Sequence, residues 1–272
     1  MTDPVRQTAE RALRRFAPPL YRWLQRRSGR RLAKRFGTAE ERFQHIYKSN
    51  HWSEAESVSG PGSTLEETEP LRRELPSLLR ELGATSMLDL PCGDFHWMQH
   101  TNLAGIDYIG GDLVGSLIER NQVKHACDGV EFRKIDLVND TLPAVDVILC
   151  RDCLVHLSFI DAHAALANVA RSGAKWLLTT SFPGVTRNDD IVTGQWRPPN
   201  LILPPFNLPE SPTLIPHNHT STRLPDKLPD PYPIADLPPA RPQHQSIPLA
   251  SSGFALNHLH PPLSLPPLAS DL

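Results

Sequence analysis

Three aspartates in the middle of the chain give the first indication of chemistry. Asp89, Asp112 and Asp136 each lie at or near the end of a short run with strand-like hydrophobicity. Asp112 follows Gly93 by 19 residues, close to the ~20-residue offset at which an acid meets a ribose in nucleotide-binding folds. A carboxylate there accepts two hydroxyl hydrogen bonds, which suits a ribose diol. The alternative interpretation is that each acid only caps a turn or a helix.

A second group of candidate residues follows the apolar run 145–150. His156 is the best candidate for a general base, because an unperturbed histidine has a pKa near ~6.5. The alternative is a histidine at a helix start whose hydrogen bonds the backbone satisfies. Arg151 and Asp152 lie closer to the end of the run. They either hold a charged ligand group or form a local ion pair.

Cys150 and Cys153 have the CxxC spacing of redox and zinc sites. Redox pairs usually open a helix after a first strand, and this pair follows a later one. Zinc would need two further ligands, and the His-x-His pairs at 217–219 and 258–260 lie in a tail without a folded pattern. We therefore predict no metal site and no redox function.

Strand and helix patterns alternate through the middle of the chain. The strand patterns fall at 86–90, 108–112, 130–136, 145–150 and 175–180, and the helix patterns at 66–82, 117–124 and 159–170. This alternation predicts an α/β protein with a doubly wound, Rossmann-like, mostly parallel sheet. Ligands of such sheets bind beyond the carboxyl ends of the strands, so we expect the three aspartates to line one rim.

The two ends of the chain differ from this middle. Residues 1–36 hold 11 Arg and Lys against two acids, a local charge of +9 in a chain of net charge −2. Their apolar residues fall near helical spacing, which predicts a basic amphipathic extension that rests on anionic lipid. A solvated helix and an organelle transit peptide are the alternatives. No nucleic-acid motif accompanies the charge, so we expect no specific nucleic-acid partner.

The C-terminal block, 209–272, holds 15 of the 28 prolines and a single glycine. Prolines at this density predict disorder from about residue 211 to 272. The Pro, Leu, His and Ser bias is also typical of C-rich codons read out of frame. We therefore favour the product of a reading-frame shift near residue 211 over the alternative, a natural Pro-rich extension. The folded domain is then 37–208.

The chain has no apolar run of the ~18–20 residues that a membrane-spanning helix needs. Its four cysteines are too few for a disulfide scaffold and suit a reducing compartment. We expect a cytoplasmic protein, with peripheral contact to anionic membrane through residues 1–36.

The run 88–94, Leu-Asp-Leu-Pro-Cys-Gly-Asp, resembles the first motif of the class I S-adenosylmethionine-dependent methyltransferases. The run 148–157 resembles the fourth-strand motif of that family. More narrowly, 57–63 and 190–198 resemble an uncharacterised bacterial subfamily. The resemblance covers roughly 42–208 and is silent about the methyl acceptor.

The resemblance implies S-adenosyl-L-methionine as cofactor and a small-molecule or glycan-type acceptor. It implies a cofactor site made of Asp89, Cys92, Gly93, Asp112, Asp136, Leu137 and Cys150. It places Arg151, Asp152 and His156 at the reacting end, and Trp196 and Arg197 against the acceptor. The alternative for Trp196 and Arg197 is that they only cover the sheet. The alternative for the whole chain is a catalytically inactive methyltransferase-like binding module that is anchored through its basic N-terminus.

Two departures from the family pattern have structural consequences. Pro91 stands where the family often has glycine, and it removes an N–H and forbids positive φ. This disfavours a nicotinamide cofactor, whose pyrophosphate needs close backbone approach. The family also closes its sheet with a β-hairpin after the fifth strand. Because the tail shows no sustained period-two alternation, we expect that hairpin to be missing and the strand at 175–180 to be an exposed edge.

Overall fold

The computed structural model describes residues 12–13, 16–52, 54–209 and 228–237, the last with backbone only over 228–231. The helices are α1 Pro18–Arg35, α2 Ala39–Lys48, α3 Leu65–Glu81, α4 Gly115–His125 and α5 Phe159–Arg171. The strands are β1 Ser86–Asp89, β2 Asp107–Asp112, β3 Val130–Lys134, β4 Val147–Cys150, β5 Trp176–Ser181 and β6 Leu228–Pro233. The described elements fall in one compact unit.

The six strands form one sheet in the order β3-β2-β1-β4-β5-β6. All pairings among β1 to β5 are parallel, so their carboxyl ends meet at one rim. The strand order reverses between β1 and β4, which is where ligands bind in such sheets. The predicted doubly wound α/β class is confirmed, and the five expected strands agree with the observed ones to within three residues at either end.

The sheet is buried on both faces, which explains why its strands are nearly continuous apolar runs. Leu88 and Ile148 pack on one face with the small residues of α5, Ala162 and Ala165. Their sequence neighbours Met87, Val147 and Leu149 point to the other face and pack against the leucines of α3. Successive strand residues thus serve opposite layers, and the helices hold the rim rigidly from both sides.

The expectation that the fifth strand is an open edge is wrong, because β6 pairs with it antiparallel over the whole strand. In the β6 sequence, Leu-Pro-Asp-Pro-Tyr-Pro, proline takes every second position. Backbone N–H groups of a strand point alternately to its two sides. The prolines occupy the positions whose N–H would point away from β5, so the remaining N–H groups point toward β5. Tyr232 is 1% exposed, and the Ile234 N–H donates to the Lys175 carbonyl at 3.0 Å.

The rest of the tail, including any second strand of the expected hairpin, lies outside the described residues. The prediction of disorder is therefore wrong for 228–237, and it stays a prediction for 211–227 and 238–272.

Three helices, α1, α2 and α3, precede the first strand of the sheet. α1 begins with Pro18 and Pro19 in its first turn, where proline suits a helix start. α2 begins with a capping box, in which Thr38 accepts from the Glu41 N–H and the Glu41 side chain accepts from the Thr38 N–H. None of the helices in the described part of the chain has the length and apolar character needed to cross a membrane.

Candidate functional site

A cavity of about 220 Å³ opens at the carboxyl ends of the strands. We call the strand-end residues that line it the floor; these belong to 89–93, 112–114, 135–139 and 151–157. We call the residues that line it from the other side the cover; these belong to 39–63, which includes α2. The sheet positions the floor, whereas the cover comes from a part of the chain that precedes the sheet.

Asp112 occupies the end of β2 and is buried in the floor. Its carboxylate accepts the Gly93 N–H at 3.2 Å and the Val114 N–H at 2.9 Å. Burial raises its pKa from 3.8 to about 6, against the lowering effect of these backbone N–H groups. A carboxylate has about four acceptor positions, so two hydroxyl donors can still be accommodated. This is the arrangement that a ribose diol requires.

The turn after β1 brings Asp89, Cys92 and Gly93 to the same cavity. The Tyr108 hydroxyl donates to the buried Asp89 carboxylate at 2.8 Å. Burial raises the Asp89 pKa to about 7, because this bond and the nearby Arg151 offset only part of the desolvation. The Asp89 carboxyl group therefore keeps its proton to a higher pH than an exposed aspartate does.

Gly93 has a left-handed conformation, with φ of +57°. A Cβ atom at this position would lie 2.2 Å from the Ser59 Oγ of the cover. The Gly93 carbonyl accepts from the Asn121 side chain at 2.8 Å, and the same amide contacts the Cys92 sulfur. Glycine therefore allows floor and cover to approach each other closely at the first turn.

Asp136 and Leu137 line the third side of the floor, after β3. The Asp136 carboxylate accepts the Val138 N–H and the Asn139 side chain, both at 2.8 Å. Asp136 therefore shapes the loop locally, as the turn-capping alternative predicts, and the same loop presents Leu137 and Val138 to the cavity.

Arg151 and Asp152 extend the floor beyond β4. Their side chains form an ion pair at 3.2 Å, and the Arg151 side chain is 9% exposed. The Arg151 guanidinium lies 5.4 Å from the ring centre of Trp97 and donates to the Gly62 carbonyl. Asp152 has φ of +54°, and its N–H donates to the Thr180 hydroxyl. Arg151 and Asp152 therefore form the local ion pair that was one of the two alternatives, and both side chains also line the cavity.

The two cysteines of the CxxC spacing take different positions. Cys150 is buried at the end of β4 and does not line the cavity, whereas Cys153 does. The Cys150 thiol and burial raise the Cys153 pKa well above its ordinary value, so this thiol stays protonated. Among the described residues no group of three or more His, Cys, Asp or Glu side chains could hold a metal ion. The two His-x-His pairs lie outside the described residues.

His156 lies in a short 3-10 turn after β4 and lines the cavity. Its Nδ1 is 2.9 Å from the Gln195 carbonyl oxygen. Because a carbonyl only accepts, Nδ1 carries the proton, and Nε2 of the neutral ring carries the lone pair. The ring lies 5.1 Å from that of Trp52 and 6.4 Å from that of Phe43, both from the cover.

The cover is fixed to the floor through Asp94. Its buried carboxylate accepts the Ser57 hydroxyl at 2.9 Å, the Val58 N–H at 3.1 Å and the Ser59 hydroxyl at 3.2 Å. The Asp94 N–H in turn donates to the Ser59 Oγ. One acid of the first turn thus holds segment 57–59 against the floor. The cover also contributes aromatic side chains to the cavity: Phe43, Tyr47 and Trp52.

The structure of the chain is similar to many solved structures, of which three are given as examples. The human N-acetylserotonin methyltransferase in complex with SAM is 18% identical, with a TM-score of 0.40; the match covers 63% of this chain and 51% of that one. The N-methyltransferase NodS from Bradyrhizobium japonicum WM9 in complex with S-adenosyl-L-homocysteine is 16% identical (TM-score 0.39, 50% and 73%). CalS10, a SAM-bound amino pentose methyltransferase from Micromonospora echinaspora, is 17% identical (TM-score 0.37, 43% and 51%).

All three of these structures are of methyltransferases. The chain spans about half the length of the human structure that it matches. No protein-family model matches the chain, and no curated protein matches it. The fold is established by the strand order above, and similarities with TM-scores below 0.5 add nothing to it.

Trp196 and Arg197, expected against the acceptor, do not line the cavity. Arg197 is 4% exposed, and its guanidinium lies over the ring of Phe159 and donates to the Leu157 carbonyl. Burial lowers its pKa to about 10. Trp196 packs edge-on against Phe182. Their segment pairs with the loop that carries His156, because the Gly194 N–H donates to the His156 carbonyl and the Arg197 N–H donates to the Val155 carbonyl.

The sequence interpretation missed the cover and Asp94. The resemblance of 57–63 to a subfamily motif is the available sequence indication that this segment belongs to the site. Phe43, Tyr47 and Trp52 carried no indication beyond being aromatic, because their place at the cavity depends on how α2 folds back over the rim.

Proposed function

We propose that this chain is an S-adenosylmethionine-dependent methyltransferase that acts on a small-molecule or glycan-type acceptor. The observation that carries the proposal is the Asp112 carboxylate. It is buried in the cavity floor at the end of β2, and it is held by two backbone N–H groups. The residues fit the cofactor, because this buried acid has acceptor positions left for a ribose diol.

The cofactor would lie along the floor. Asp112 would accept its ribose hydroxyls, the 136–138 loop would contact its adenine, and the turn at 89–93 would face its methionine part. Arg151 offers a buried cation in the same cavity, either to the carboxylate of the methionine part or to an acidic acceptor. Pro91 removes an N–H from the turn, which disfavours a nicotinamide cofactor because the pyrophosphate of that cofactor needs close backbone approach. S-adenosylmethionine has no pyrophosphate and does not need this N–H.

S-adenosylmethionine supplies, when bound, an electrophilic methyl group on a sulfonium. The chain's own residues would position an acceptor against it and exclude water, and holding two reactants in line contributes most of the acceleration. The aromatic residues of the cover would provide flat apolar walls for the acceptor. With Nδ1–H held by the Gln195 carbonyl, His156 would accept the proton of an acceptor hydroxyl at Nε2.

Labelled methyl transfer tests this proposal. The full chain is incubated with a metabolite extract and S-adenosylmethionine that carries a deuterated methyl group, and products are detected by their mass shift. We expect at least one small molecule to gain the label with the wild-type chain and none with Asp112→Ala. Asp107→Ala, at the exposed opposite end of β2, is the matched control and should retain activity. Cofactor binding without any labelled product would favour the inactive binding module instead.

A further inference from the structure

We propose that the outward face of α1 docks on anionic lipid membranes. The surface consists of exposed apolar residues just before and at the start of the helix and of basic residues toward its end. We call it the α1 surface; its residues are Phe16, Leu20, Trp23, Leu24, Arg27, Arg31 and Lys34. It is separate from the cavity, so the inference does not rest on the proposed function.

The apolar part of the α1 surface is concentrated. Four of the seven large apolar side chains that are exposed in the described part of the chain lie between residues 16 and 24. Phe16 is 79% exposed, Leu20 47%, Trp23 53% and Leu24 40%. The last three have i, i+3, i+4 spacing, which places them on one side of the helix. Scattered exposed apolar residues are ordinary, whereas a cluster indicates a binding surface.

The opposite side of α1 is bound to the body of the protein. Gln195 donates to the Gln25 carbonyl at 3.0 Å and to its side-chain oxygen at 2.9 Å. Gly29 is buried there, and a Cβ atom would lie 2.5 Å from the Gln195 Oε1 and 2.9 Å from Val192. Residues 25 and 29 lie about half a turn away from Leu20 and Trp23. The body therefore fixes α1 with its apolar residues outward.

The charge of α1 selects the partner. The helix carries seven Arg and Lys residues and no acid. Arg27, Arg31 and Lys34 continue the outward side along the second half of the helix, and the Arg27 guanidinium lies over the Trp23 ring at 5.3 Å. Apolar and aromatic side chains next to basic ones are typical of helices that lie in the interface of an anionic bilayer. A nucleic acid would use the charge but would leave the leucines without a partner.

Flotation with lipid vesicles tests the proposal on the full chain. We expect binding to vesicles of phosphatidylglycerol and phosphatidylcholine, weak binding to phosphatidylcholine alone, and loss of binding at high salt. Trp23 is the one exposed tryptophan of the five, so binding should shift its emission to shorter wavelength, and Trp23→Phe should abolish most of that shift.

Two variants separate the apolar and basic parts of the surface. Leu20→Ser with Leu24→Ser should weaken binding at least tenfold, because it removes buried apolar area. Arg27→Gln with Arg31→Gln should weaken it about fivefold for each charge removed. Val123→Ser, which replaces an isolated apolar residue that is 88% exposed on α4, is the control and should change nothing.

Three results would overturn the proposal. The first is equal binding to neutral and anionic vesicles, and the second is the absence of binding to either. The third is a concentration-dependent dimer that Leu20→Ser with Leu24→Ser dissolves, with no lipid binding by the wild-type chain; that result would make the surface an interface between two copies.

Discussion

The floor and the cover of the cavity enclose the same space but are built by different interactions. The floor residues follow strands whose backbone pairing fixes them, and parallel pairing brings Asp89 and Asp112 to one rim. The cover is held by side-chain hydrogen bonds, most of them to Asp94 and one from Arg151 to the Gly62 carbonyl, and by the packing of α2. A sheet rim is therefore determined by regular structure, whereas the cover depends on individual side chains. Substitutions should affect the two regions differently.

The largest expected effect is at His156, where floor and cover meet. His156→Gln keeps a side-chain N–H that can donate to the Gln195 carbonyl but removes the base. With a hydroxyl acceptor identified by the labelled-methyl experiment, methyl transfer should fall about 10²–10⁴-fold. The dissociation constant for the cofactor should stay unchanged, because Asp112 and the 136–138 loop are not altered. An unchanged rate would show that His156 only shapes the cavity and that positioning alone carries the reaction.

The pH dependence of stability should belong to the floor. Burial raises the pKa of Asp89 to about 7 and that of Asp112 to about 6, from 3.8 in the unfolded chain. Between pH ~4 and ~7 the folded protein therefore holds protons that the unfolded chain has released. Without cofactor, the free energy of unfolding should fall as the pH rises through this range.

Urea denaturation from pH 4 to 8 measures this fall. Asp89→Asn, which can still accept from the Tyr108 hydroxyl, should flatten the curve by up to about 4 kcal/mol. Asp107→Asn, at the exposed end of β2, should leave it unchanged. Parallel curves for wild type and Asp89→Asn would show that the floor carboxyl groups are solvated rather than buried.

Loosening the cover should have a smaller effect. Asp94→Asn replaces an oxygen that accepts from segment 57–59 with an NH₂ group that donates. The free energy of unfolding should fall by about 1–3 kcal/mol, because buried donors lose their acceptor. Limited proteolysis should become faster within 51–64, with Asp128→Asn, an exposed acid, as the control. Unchanged stability and cleavage would mean that the packing of α2 and the other contacts of the cover, such as that of Arg151 with the Gly62 carbonyl, hold it without Asp94.

The smallest effect is expected for the coupling between the two regions, which is the part of the Gly93→Ala loss that Ser59→Ala restores. Gly93→Ala places a Cβ atom 2.2 Å from the Ser59 Oγ and forces alanine to a φ of +57°. The backbone cost is about 1–2 kcal/mol, and the collision adds to it. Thermal denaturation of Gly93→Ala with Ser59→Ala should recover the part due to the collision. Simple addition of the two single losses would show that this contact does not hold floor and cover together.

The floor could be predicted from the sequence because its determinants are local. Asp112 is recognisable as the acid that ends an apolar run at a known offset from Gly93, and the structure places it at the rim. Trp196 and Arg197 could not be placed this way. Their positions depend on which side of the His156 loop the segment passes, and no periodicity encodes that.

The density of prolines does not predict the edge strand β6, because density counts only the hydrogen-bond donors that proline removes. Its position also matters, because proline at every second position of β6 leaves one side of the strand able to pair. Trp52 illustrates a further limit. An aromatic side chain outside any periodic pattern can be in the core, on the surface or at a site, and only the way segment 39–63 packs over the rim decides.

The central claim is that the buried acid at the end of β2 binds the ribose of S-adenosylmethionine. Isothermal titration calorimetry of the full chain with S-adenosylmethionine tests it most directly, with NADH as the competing ligand. We expect one site for S-adenosylmethionine, no heat with NADH, and a dissociation constant that rises about 10–100-fold in Asp112→Ala but not in Asp107→Ala. Binding that Asp112→Ala leaves unchanged, or binding of NADH in place of S-adenosylmethionine, would contradict the account.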